Sequence, residues 1–323
     1  MQIAIIGAGM AGLSCGEKLA EAGHSVTLFD KGRGPGGRMS TRRMAGPAGD
    51  VHFDHGAQYF TVRDAGFAET VLRWQEEGVA AKWSEAGDDA FVGTPTMNAP
   101  IRHMAAQQNV HWSARVETIE RRPDGWQLRG ANIGDSRYDA VIVAVPAEQV
   151  SPLVAPWDAA MAAQAETVSS LPCWTVMAAF DERLEIDADT IREIGAIGWA
   201  ARGGAKPQRS AEETWVIQAT PAWSQSYLEA DAAHIESALL SALSDVTGAA
   251  LPEPAVSAAH RWRFARPSGE GAGAGMLWNG ELGLGCCGDW LTRPRVESAW
   301  LSGQKLADAV VSAPVGAAAE IME

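Results

Sequence analysis

The sequence has few cysteines and no long apolar run. Its four cysteines, Cys15, Cys173, Cys286 and Cys287, show neither metal-ligand spacing nor the spacing of a disulfide framework. We therefore expect reduced, mostly buried thiols, no metal and a cytoplasmic protein. No segment reaches the roughly 18 apolar residues needed to span a bilayer. The first residue leads directly into an apolar strand, so we expect no signal peptide.

Positive charge is also scarce, because the 26 Lys and Arg residues are outnumbered by 40 Asp and Glu residues, which gives a net charge of −14. This balance argues against nucleic acid or an anionic membrane as a general partner. The chain of 323 residues is long enough for two modest domains and is 46% hydrophobic, as in ordinary globular proteins. Tryptophan is abundant, with 13 copies against three tyrosines. Most are expected in the core, and a few suit a flat wall against a planar ligand.

A glycine fingerprint stands at the start of the chain. An apolar run over 3–6 leads directly into Gly7-x-Gly9-x-x-Gly12, and a helical pattern follows. Gly7 permits the tight turn, Gly9 lets a phosphate approach the backbone, and Gly12 lets helix and strand pack closely. Asp30 ends the next apolar strand, 18 residues beyond Gly12, where this arrangement presents a carboxylate to ribose hydroxyls. The sequence therefore predicts a bound dinucleotide at the helix N-terminus.

A basic, glycine-rich stretch over 31–43 follows that acidic residue. Arg38 within it is suited to a bidentate contact with phosphate. Arg42 and Arg43 serve either a second anionic group or only the surface. Farther on, Gly56-Ala57 interrupts an apolar strand, and such small residues let a flat ring system lie close to the backbone.

The remaining patterns predict two kinds of sheet. A continuous apolar run over 138–146 is typical of a central strand in a parallel sheet. Runs over 174–180, 196–200, 214–220 and 256–263 predict strands of a second sheet, with a helix over 230–245. We therefore expect an α/β fold, with a Rossmann domain and a second α+β domain built on a mainly antiparallel sheet. The expected domains are 1–62, 100–152 and 276–323 for the cofactor, and 63–99 and 153–275 for the substrate.

Four motifs together resemble the flavin-dependent amine-oxidase superfamily, whose members fold like glutathione reductase and bind FAD non-covalently. The first is the N-terminal glycine fingerprint together with Asp30. The others are Gly36-Gly37-Arg38, Ala144-Val-Pro146 and Gly288-Asp289 before a C-terminal helix. Longer stretches over 30–41, 54–60, 259–267, 287–290 and 295–303 are similar to bacterial renalases. This resemblance runs from about Gln2 to Ala309.

The resemblance implies a set of cofactor contacts. The adenosine half and the pyrophosphate are assigned to Gly7, Gly9, Gly12, Asp30, Arg38 and the backbone near Val116. The isoalloxazine is expected beside Gly56, Ala57 and Gln58, with Gly288, Asp289 and Val296 on its far side. The other expected cofactor contacts are Ala11, Lys31, Gly37, Met39, Tyr59, Ala144, Pro146 and Arg295. Cys286 and Cys287 receive no role, and the effect of the Gly269–Gly275 insert is left open.

Renalases oxidise the 1,2- and 1,6-dihydro isomers of NAD(P)H to NAD(P)+, and dioxygen then reoxidises the flavin to give hydrogen peroxide. The resemblance implies the same small-molecule partners for this chain, which we expect to be a monomer or weak dimer. Hydride transfer from a dihydropyridine needs positioning more than acid–base help. We therefore predict a substrate cavity lined by Trp199, Gln218, His260 and Trp262.

Several alternatives stay open. His260 is equally readily a structural histidine, the tryptophans suit a core, and Arg202 or Arg261 is a candidate for substrate phosphates. An amine oxidase is the first rival, although its members often keep a lysine near the flavin and Lys206 lies in a polar loop here. A desaturase or isomerase of an apolar substrate and a non-catalytic flavoprotein are further rivals. An NAD-dependent dehydrogenase would leave Gly36–Arg38 and Gly288-Asp289 without a purpose.

Overall fold

The computed structural model describes residues 1–46, 49–269 and 273–312. The strands are β1 Gln2–Ile6, β2 Ser25–Phe29, β3 Thr41–Gly46, β4 Gly49–Asp54, β5 Phe60–Thr61, β6 Ala80–Lys82, β7 Ala90–Gly93, β8 Val110–His111, β9 Arg115–Arg122, β10 Gly125–Ala131, β11 Ala140–Val143, β12 Ser170–Phe180, β13 Thr190–Ile194, β14 Ile197–Arg202, β15 Glu213–Ala219, β16 Val256–Pro267, β17 Leu277–Asn279 and β18 Leu284–Cys286. The α-helices are α1 Met10–Glu21, α2 Ala65–Glu76, α3 Ala99–Ala106, α4 Ser151–Val154, α5 Ala159–Glu166, α6 Pro221–Ser226, α7 Ala232–Thr247 and α8 Val296–Ser312. Short 3-10 turns occur at Gly37–Met39, Ala147–Gln149, Gly203–Ala205 and Asp289–Leu291.

The chain forms two compact units. The first comprises Met1–Gly37, Ile101–Ser170 and the chain from Pro267 on, and the second comprises Arg38–Pro100 and Leu171–Arg266. Each unit is therefore built from segments that are distant in sequence.

The first unit contains a six-stranded sheet in the order β17-β18-β11-β1-β2-β8. Strands β18, β11, β1, β2 and β8 pair in parallel, and only the edge strand β17 is antiparallel. Strand β11 is completely buried, as expected for a central strand covered on both faces. Helices α1 and α8 pack closely, because a Cβ added at Gly303 would lie 2.2 Å from the carbonyl oxygen of Ala11.

The second unit is organised around a five-stranded sheet in the order β13-β14-β15-β12-β16. One face carries Val176, Ile217 and their neighbours, which pack with Ile235 and Leu239 of helix α7. The opposite face carries Met177, Ala179 and Val216, which pack against Val51 and Phe53 of β4. Strands β3 and β4 form an antiparallel pair, and β5, β7 and β6 form a small separate sheet.

The predicted fold class is confirmed, because a Rossmann-type parallel sheet occurs with a mainly antiparallel second sheet. The apolar run over 138–146 supplies a central strand, since β11 lies between β1 and β18 and pairs in parallel with both. Strand β3 has no counterpart among the strands predicted from sequence, whereas β4 shares Phe53 and Asp54 with the strand that was expected to be interrupted by Gly56-Ala57.

The two units differ from the predicted domain boundaries in three segments and at Pro100, which lies in the second unit. The stretch 38–62 lies in the second unit, because Val51 and Phe53 bury their side chains against the five-stranded sheet. The stretch 153–170 lies in the first unit, because Met161 and Ala165 join the apolar core around β11. Residues 267–269 and 273–275 also belong to the first unit. Residues 270–272 of the Gly269–Gly275 insert lie outside the described residues.

Within the described residues, no helix combines the length and apolarity needed to cross a lipid bilayer.

Candidate active site

The turn after β1 has the geometry that its glycines predict. Gly7 has a φ of +106°, and a Cβ there would lie 2.5 Å from the carbonyl oxygen of Ala144. A Cβ at Gly12 would lie 2.0 Å from the carbonyl oxygen of Gly7, so helix α1 and the turn touch backbone to backbone. A Cβ at Gly9 would meet nothing within 4 Å. The turn thus leaves open space at the N-terminus of α1, where a phosphate group fits.

Asp30 is fixed beside this turn. Its carboxylate accepts hydrogen bonds from the backbone nitrogens of Ala8 at 2.8 Å and Gly32 at 2.7 Å. Lys31 donates to the side-chain oxygen of Gln149 at 2.8 Å. Burial, with a further contribution from Arg115, lowers the pKa of Lys31.

The other predicted cofactor residues of the first unit lie on neighbouring segments. A Cβ at Gly37 would approach the Cα of Gly9 to 4.0 Å, which brings the second glycine-rich turn beside the first. Ala11 lies in the first turn of α1, Val116 in β9, and Ala144 and Pro146 directly after β11.

The Gly288-Asp289 turn follows β18 in the same unit. The backbone nitrogen of Gly288 donates to Ser302 Oγ at 2.8 Å, and that hydroxyl donates to the carbonyl oxygen of Gly275 at 2.5 Å. Asp289 is buried, and helix α8 begins at Val296, directly after Arg295. The two glycine-containing turns near opposite ends of the chain therefore belong to one compact unit.

In the second unit, the backbone of 54–58 is held by side-chain donors. The carbonyl oxygen of His55 accepts from Trp262 Nε1 at 2.8 Å. The carbonyl oxygen of Gly56 accepts from Gln218 Nε2 at 2.7 Å and from Gln58 Nε2 at 3.1 Å. Gln58 Nε2 also donates to the carbonyl oxygen of Asp54. These contacts fix the orientation of three consecutive peptide groups.

The small residues that interrupt the strand are required by close packing. A Cβ at Gly56 would lie 2.1 Å from the carbonyl oxygen of Arg38, so glycine alone fits there. Ala57 donates its backbone N–H to the same oxygen at 2.8 Å. Met39 follows and is buried.

Two histidines and a tryptophan lie against this segment. The ring of His55 lies 4.9 Å from that of His260 and 5.1 Å from that of Trp262, and the latter two rings are 4.5 Å apart. Burial and the proximity of His260 lower the pKa of His55 to about 4. Burial and the charge of Arg42 lower the pKa of His260. Both imidazoles are therefore neutral at physiological pH.

A row of side chains crosses one face of the five-stranded sheet. Arg192, Trp199, Gln218 and Thr175 occupy directly paired positions on β13, β14, β15 and β12. The guanidinium of Arg192 lies 4.5 Å from the ring centre of Trp199, a cation–π distance. Two further rings approach Trp199: Tyr59 at 5.3 Å and Trp83 at 6.2 Å. Within the described residues, the buried Trp199 Nε1 has no hydrogen-bond acceptor.

Beneath the segment lies a buried charge network centred on Asp54. Its Oδ2 accepts from Arg209 at 2.8 and 3.1 Å and from Lys206 at 3.4 Å, while Oδ1 accepts from Thr41 at 2.7 Å and from the Met97 nitrogen at 2.9 Å. Burial alone would raise the pKa of Asp54, but the two cations and these hydrogen bonds hold it well below its usual range. Asp54 is therefore ionised throughout the physiological range.

The structure brings most of the predicted substrate-cavity residues together. Gln218 and Trp262 both donate hydrogen bonds to the backbone of residues 55–56. The ring of His260 contacts the ring of His55. Trp199 is the strand neighbour of Gln218. Sequence reasoning gave no role to His55, although this residue stands inside the quoted 54–60 motif.

Three sequence-based interpretations need correction. Arg202 is buried and engaged with Asp189, Glu213 and the carbonyl oxygen of Ile186, so its guanidinium is committed to the fold. Arg261 donates to the carbonyl oxygen of Leu228 at 2.6 Å and to Glu229 at 2.8 Å.

The third correction concerns Lys206. It lies in a loop of polar sequence, yet it is only 4% exposed and its ammonium contacts Gln58 Oε1 at 3.0 Å. The sequence showed polarity along the loop, whereas burial of this side chain depends on distant residues.

No group of three or more His, Cys, Asp or Glu side chains within residues 1–46, 49–269 and 273–312 is arranged to hold a metal ion. The arrangement of the second unit is instead an aromatic and amide-bearing face beside a fixed backbone segment. Such a face suits a flat, neutral ring with hydrogen-bonding substituents.

Comparison with known families gives two matches. Residues 5–72 match a NAD(P)-binding Rossmann-like domain, and residues 80–311 match the flavin containing amine oxidoreductase family. The second match covers more than half of the chain.

Two curated relatives match parts of the chain. It is 27% identical over 206 residues to the tRNA 5-methylaminomethyl-2-thiouridine biosynthesis bifunctional protein MnmC of Magnetococcus marinus, a match covering 48% of this chain and 30% of that protein. It is 39% identical over 79 residues to 4,4'-diapophytoene desaturase of Staphylococcus haemolyticus, covering 24% of this chain and 15% of that enzyme. These matches span less than a third of the length of either relative.

Two solved amine oxidases are similar over nearly the whole chain. Cyclohexylamine oxidase from Brevibacterium oxydans has a TM-score of 0.69 at 14% identity, covering 97% of this chain and 99% of that one. Putrescine oxidase bound to putrescine has a TM-score of 0.62 at 14% identity, with the same coverage. At this identity the similarity establishes the fold alone.

Proposed function

Because this chain belongs to the flavin containing amine oxidoreductase family, we propose that it is an FAD-dependent oxidase of dihydronicotinamide dinucleotides. The cofactor is FAD, and the open turn around Gly9 fits its pyrophosphate. The proposed substrates are the 1,2- and 1,6-dihydro isomers of NADH or NADPH. Each turnover consumes one dihydronicotinamide, one proton and one dioxygen, and it releases NAD(P)+ and hydrogen peroxide.

The observation that carries this proposal is the positive charge around the aromatic face of the second unit. Arg192 covers the ring of Trp199 while its Nη2 donates to the carbonyl oxygens of Glu85 and Ala86. The charge of Arg42 acts on both His55 and His260. Arg42 pairs with Phe53 in the β3–β4 register, so its side chain shares the ribbon face that packs against the sheet. In a protein of net charge −14, these cations favour the phosphates of a dinucleotide and disfavour an ammonium ion.

The polar groups of the same face suit a nicotinamide ring. Gln218 uses its amide nitrogen to bind the Gly56 carbonyl oxygen. No hydrogen-bond donor from the described residues contacts its amide oxygen, which we assign to the N–H of the substrate carboxamide. His260 and Trp262 offer flat faces for stacking against the ring.

The neutral histidines are compatible with this chemistry. The lone pair of the dihydropyridine nitrogen drives the hydride out, and the product ring becomes aromatic, so no side chain has to remove a proton. Bound FAD supplies the two-electron acceptor. The protein residues therefore have to orient the donor carbon and exclude water.

The first unit is proposed as the FAD-binding domain and the second as the substrate domain. A cytoplasmic location and a monomeric or weakly dimeric state remain predictions from the sequence.

The test is anaerobic stopped-flow mixing of the purified flavoprotein with each dihydronicotinamide isomer and, separately, with a panel of amines. We expect the isomers to bleach the flavin rapidly and the amines to react slowly or not at all. Arg42→Gln should raise KM for the dinucleotide about tenfold with little change in kcat, because it removes a charge-assisted contact to phosphate. Arg63→Gln is the matched control, since Arg63 pairs with Asp89 on the surface of the same unit. Rapid bleaching by amines alone would overturn the proposal.

An amine oxidase is the second candidate, and one observation favours it. The sequence argument against it was the lack of a suitably placed lysine, but Lys206 is buried beside Gln58. The amine arm of the same experiment decides between the two functions.

A further inference from the structure

Lys206 occupies an unusual environment for a lysine. Its side chain is 2% exposed, and its ammonium lies 5.5 Å from the ring centre of Trp83. The loop around it is anchored, because Trp83 Nε1 donates to the carbonyl oxygen of Ala205 at 3.1 Å. Burying an ammonium group is costly, so a lysine in this place needs strong partners.

The ion pair with Asp54 does not account for Lys206 by itself. Asp54 already receives two hydrogen bonds from Arg209, one from Thr41 and one from the Met97 nitrogen. The distance from Lys206 Nζ to Asp54 Oδ2 is 3.4 Å, which is long for a charge-assisted bond. The shorter contact of the ammonium, at 3.0 Å, is to Gln58 Oε1.

This contact fixes which way the Gln58 amide points. An ammonium group can only donate, so Gln58 must turn its oxygen toward Lys206. Its Nε2 then faces the carbonyl oxygens of Asp54 and Gly56, to which it donates. The reversed amide would place donor against donor at Lys206 and acceptor against acceptor at Gly56.

We propose that Lys206 is a positioning residue that acts through the Gln58 amide on the peptide groups of Gly56 and Ala57. This proposal rests on FAD as cofactor and on the predicted place of Gly56–Gln58 beside its ring, and it is independent of the substrate. The charged groups that face Lys206 are Asp54 on β4 and Arg209 on its own loop, while Trp83 and Gln58 are uncharged neighbours. Burial lowers the pKa of Lys206 to about 8, although Asp54 acts in the opposite direction. The ammonium that holds Gln58 is therefore lost at moderately alkaline pH.

The experiment compares Lys206→Met, Gln58→Leu and the double variant with Lys82→Met, which removes an exposed lysine of the same unit. The measurements are the dissociation constant of FAD from the apoprotein, the flavin midpoint potential, and the flavin absorbance spectrum from pH 6 to 10. We expect each single variant to weaken FAD binding about tenfold, as loss of a hydrogen bond to a charged group predicts. The double variant should weaken it no further, because both changes break one chain of contacts. Lys82→Met should match the wild type.

The wild-type spectrum should change with an apparent pKa near 8, and this change should be absent from Gln58→Leu. The comparison of wild type with Gln58→Leu needs no variant at Lys206, so it tests the proposal even if Lys206→Met fails to fold. The proposal would be overturned if the double variant lost FAD affinity by the product of the two single-variant losses. A wild-type flavin spectrum that does not change near pH 8 would also overturn it. None of the three measurements uses a substrate. An enzyme that oxidises amines could pass this test, and a dihydronicotinamide oxidase could fail it.

Discussion

His55 shows how strongly the surroundings of a single residue control its chemistry. Its ring is buried between His260 and Trp262, and the charge of the neighbouring Asp54 offsets only part of the cost of burying a proton there. Burial and His260 lower its pKa to about 4, against 6.5 for a free histidine. The folded protein therefore prefers the neutral ring, and the unfolded chain takes up a proton first as the pH falls.

This preference predicts a loss of stability in mild acid. Stability is complete above pH 6.5 and declines as the pH falls from 6.5 toward 4, because only the unfolded state binds the proton in that window. The free energy of unfolding should fall by about 2 kcal/mol between pH 7.5 and 5.0 through this residue. Urea titrations at the two pH values measure it.

The control uses two histidine variants. His55→Gln should reduce the difference between the two pH values, while His234→Gln, at an exposed position on α7, should leave it unchanged. An equal acid sensitivity in wild type and His55→Gln would contradict the argument.

At the scale of elements, the contact between α1 and α8 depends on one helical glycine. A Cβ at Gly303 would lie 2.2 Å from the carbonyl oxygen of Ala11 and 2.9 Å from the nitrogen of Cys15. Both atoms belong to the backbone of α1, so the helices must move apart to admit a methyl group. Intrinsic helix propensity favours alanine over glycine by only about 1 kcal/mol.

Gly303→Ala should therefore destabilise the protein by about 2 kcal/mol, because overpacking outweighs the gain in propensity. Chemical denaturation monitored by circular dichroism measures the change. Gly16→Ala in α1 is the matched control, since its Cβ would meet a side-chain atom, the oxygen of Gln108, rather than the backbone of another helix. A Gly303→Ala variant that is more stable than the wild type would show that the helices are not in this contact.

At the scale of the whole molecule, the first unit contains residues from near both ends of the chain that are predicted to bind FAD. The Gly7–Gly12 turn and the Gly288-Asp289 turn are separated by most of the sequence, yet both lie in this unit. The assignment of Asp289 to FAD remains a prediction, and the buried carboxyl group makes it directly testable.

Asp289→Ala is expected to purify with about a tenth or less of the wild-type flavin, because the predicted contact between the Asp289 carboxyl group and FAD is lost. The ratio of visible flavin absorbance to protein absorbance measures occupancy. Asp308→Ala, which removes an exposed carboxylate paired with Lys18 on the same unit, should retain the colour of the wild type. Full occupancy in Asp289→Ala would show that the turn has been misassigned.

The sequence by itself determined the features that depend on short stretches of chain. The spacing of Gly7, Gly9 and Gly12 specified a turn and a close helix–strand contact, because only glycine tolerates those backbone approaches. The apolar run around β11 specified a strand covered on both faces. In both cases a short stretch of sequence was sufficient to predict the local structure.

Only the tertiary structure decided which distant residues cover one another. The paired strands β3 and β4 belong to the second unit because Val51 and Phe53 pack on a sheet whose strands lie more than a hundred residues later in the chain. Lys206 lies in a polar stretch of sequence but is buried, because Trp83, Asp54 and Gln58 surround it from other parts of the chain. Hydrophobic pattern records that a segment has a buried face, whereas the partner that buries it is fixed only when the whole chain packs.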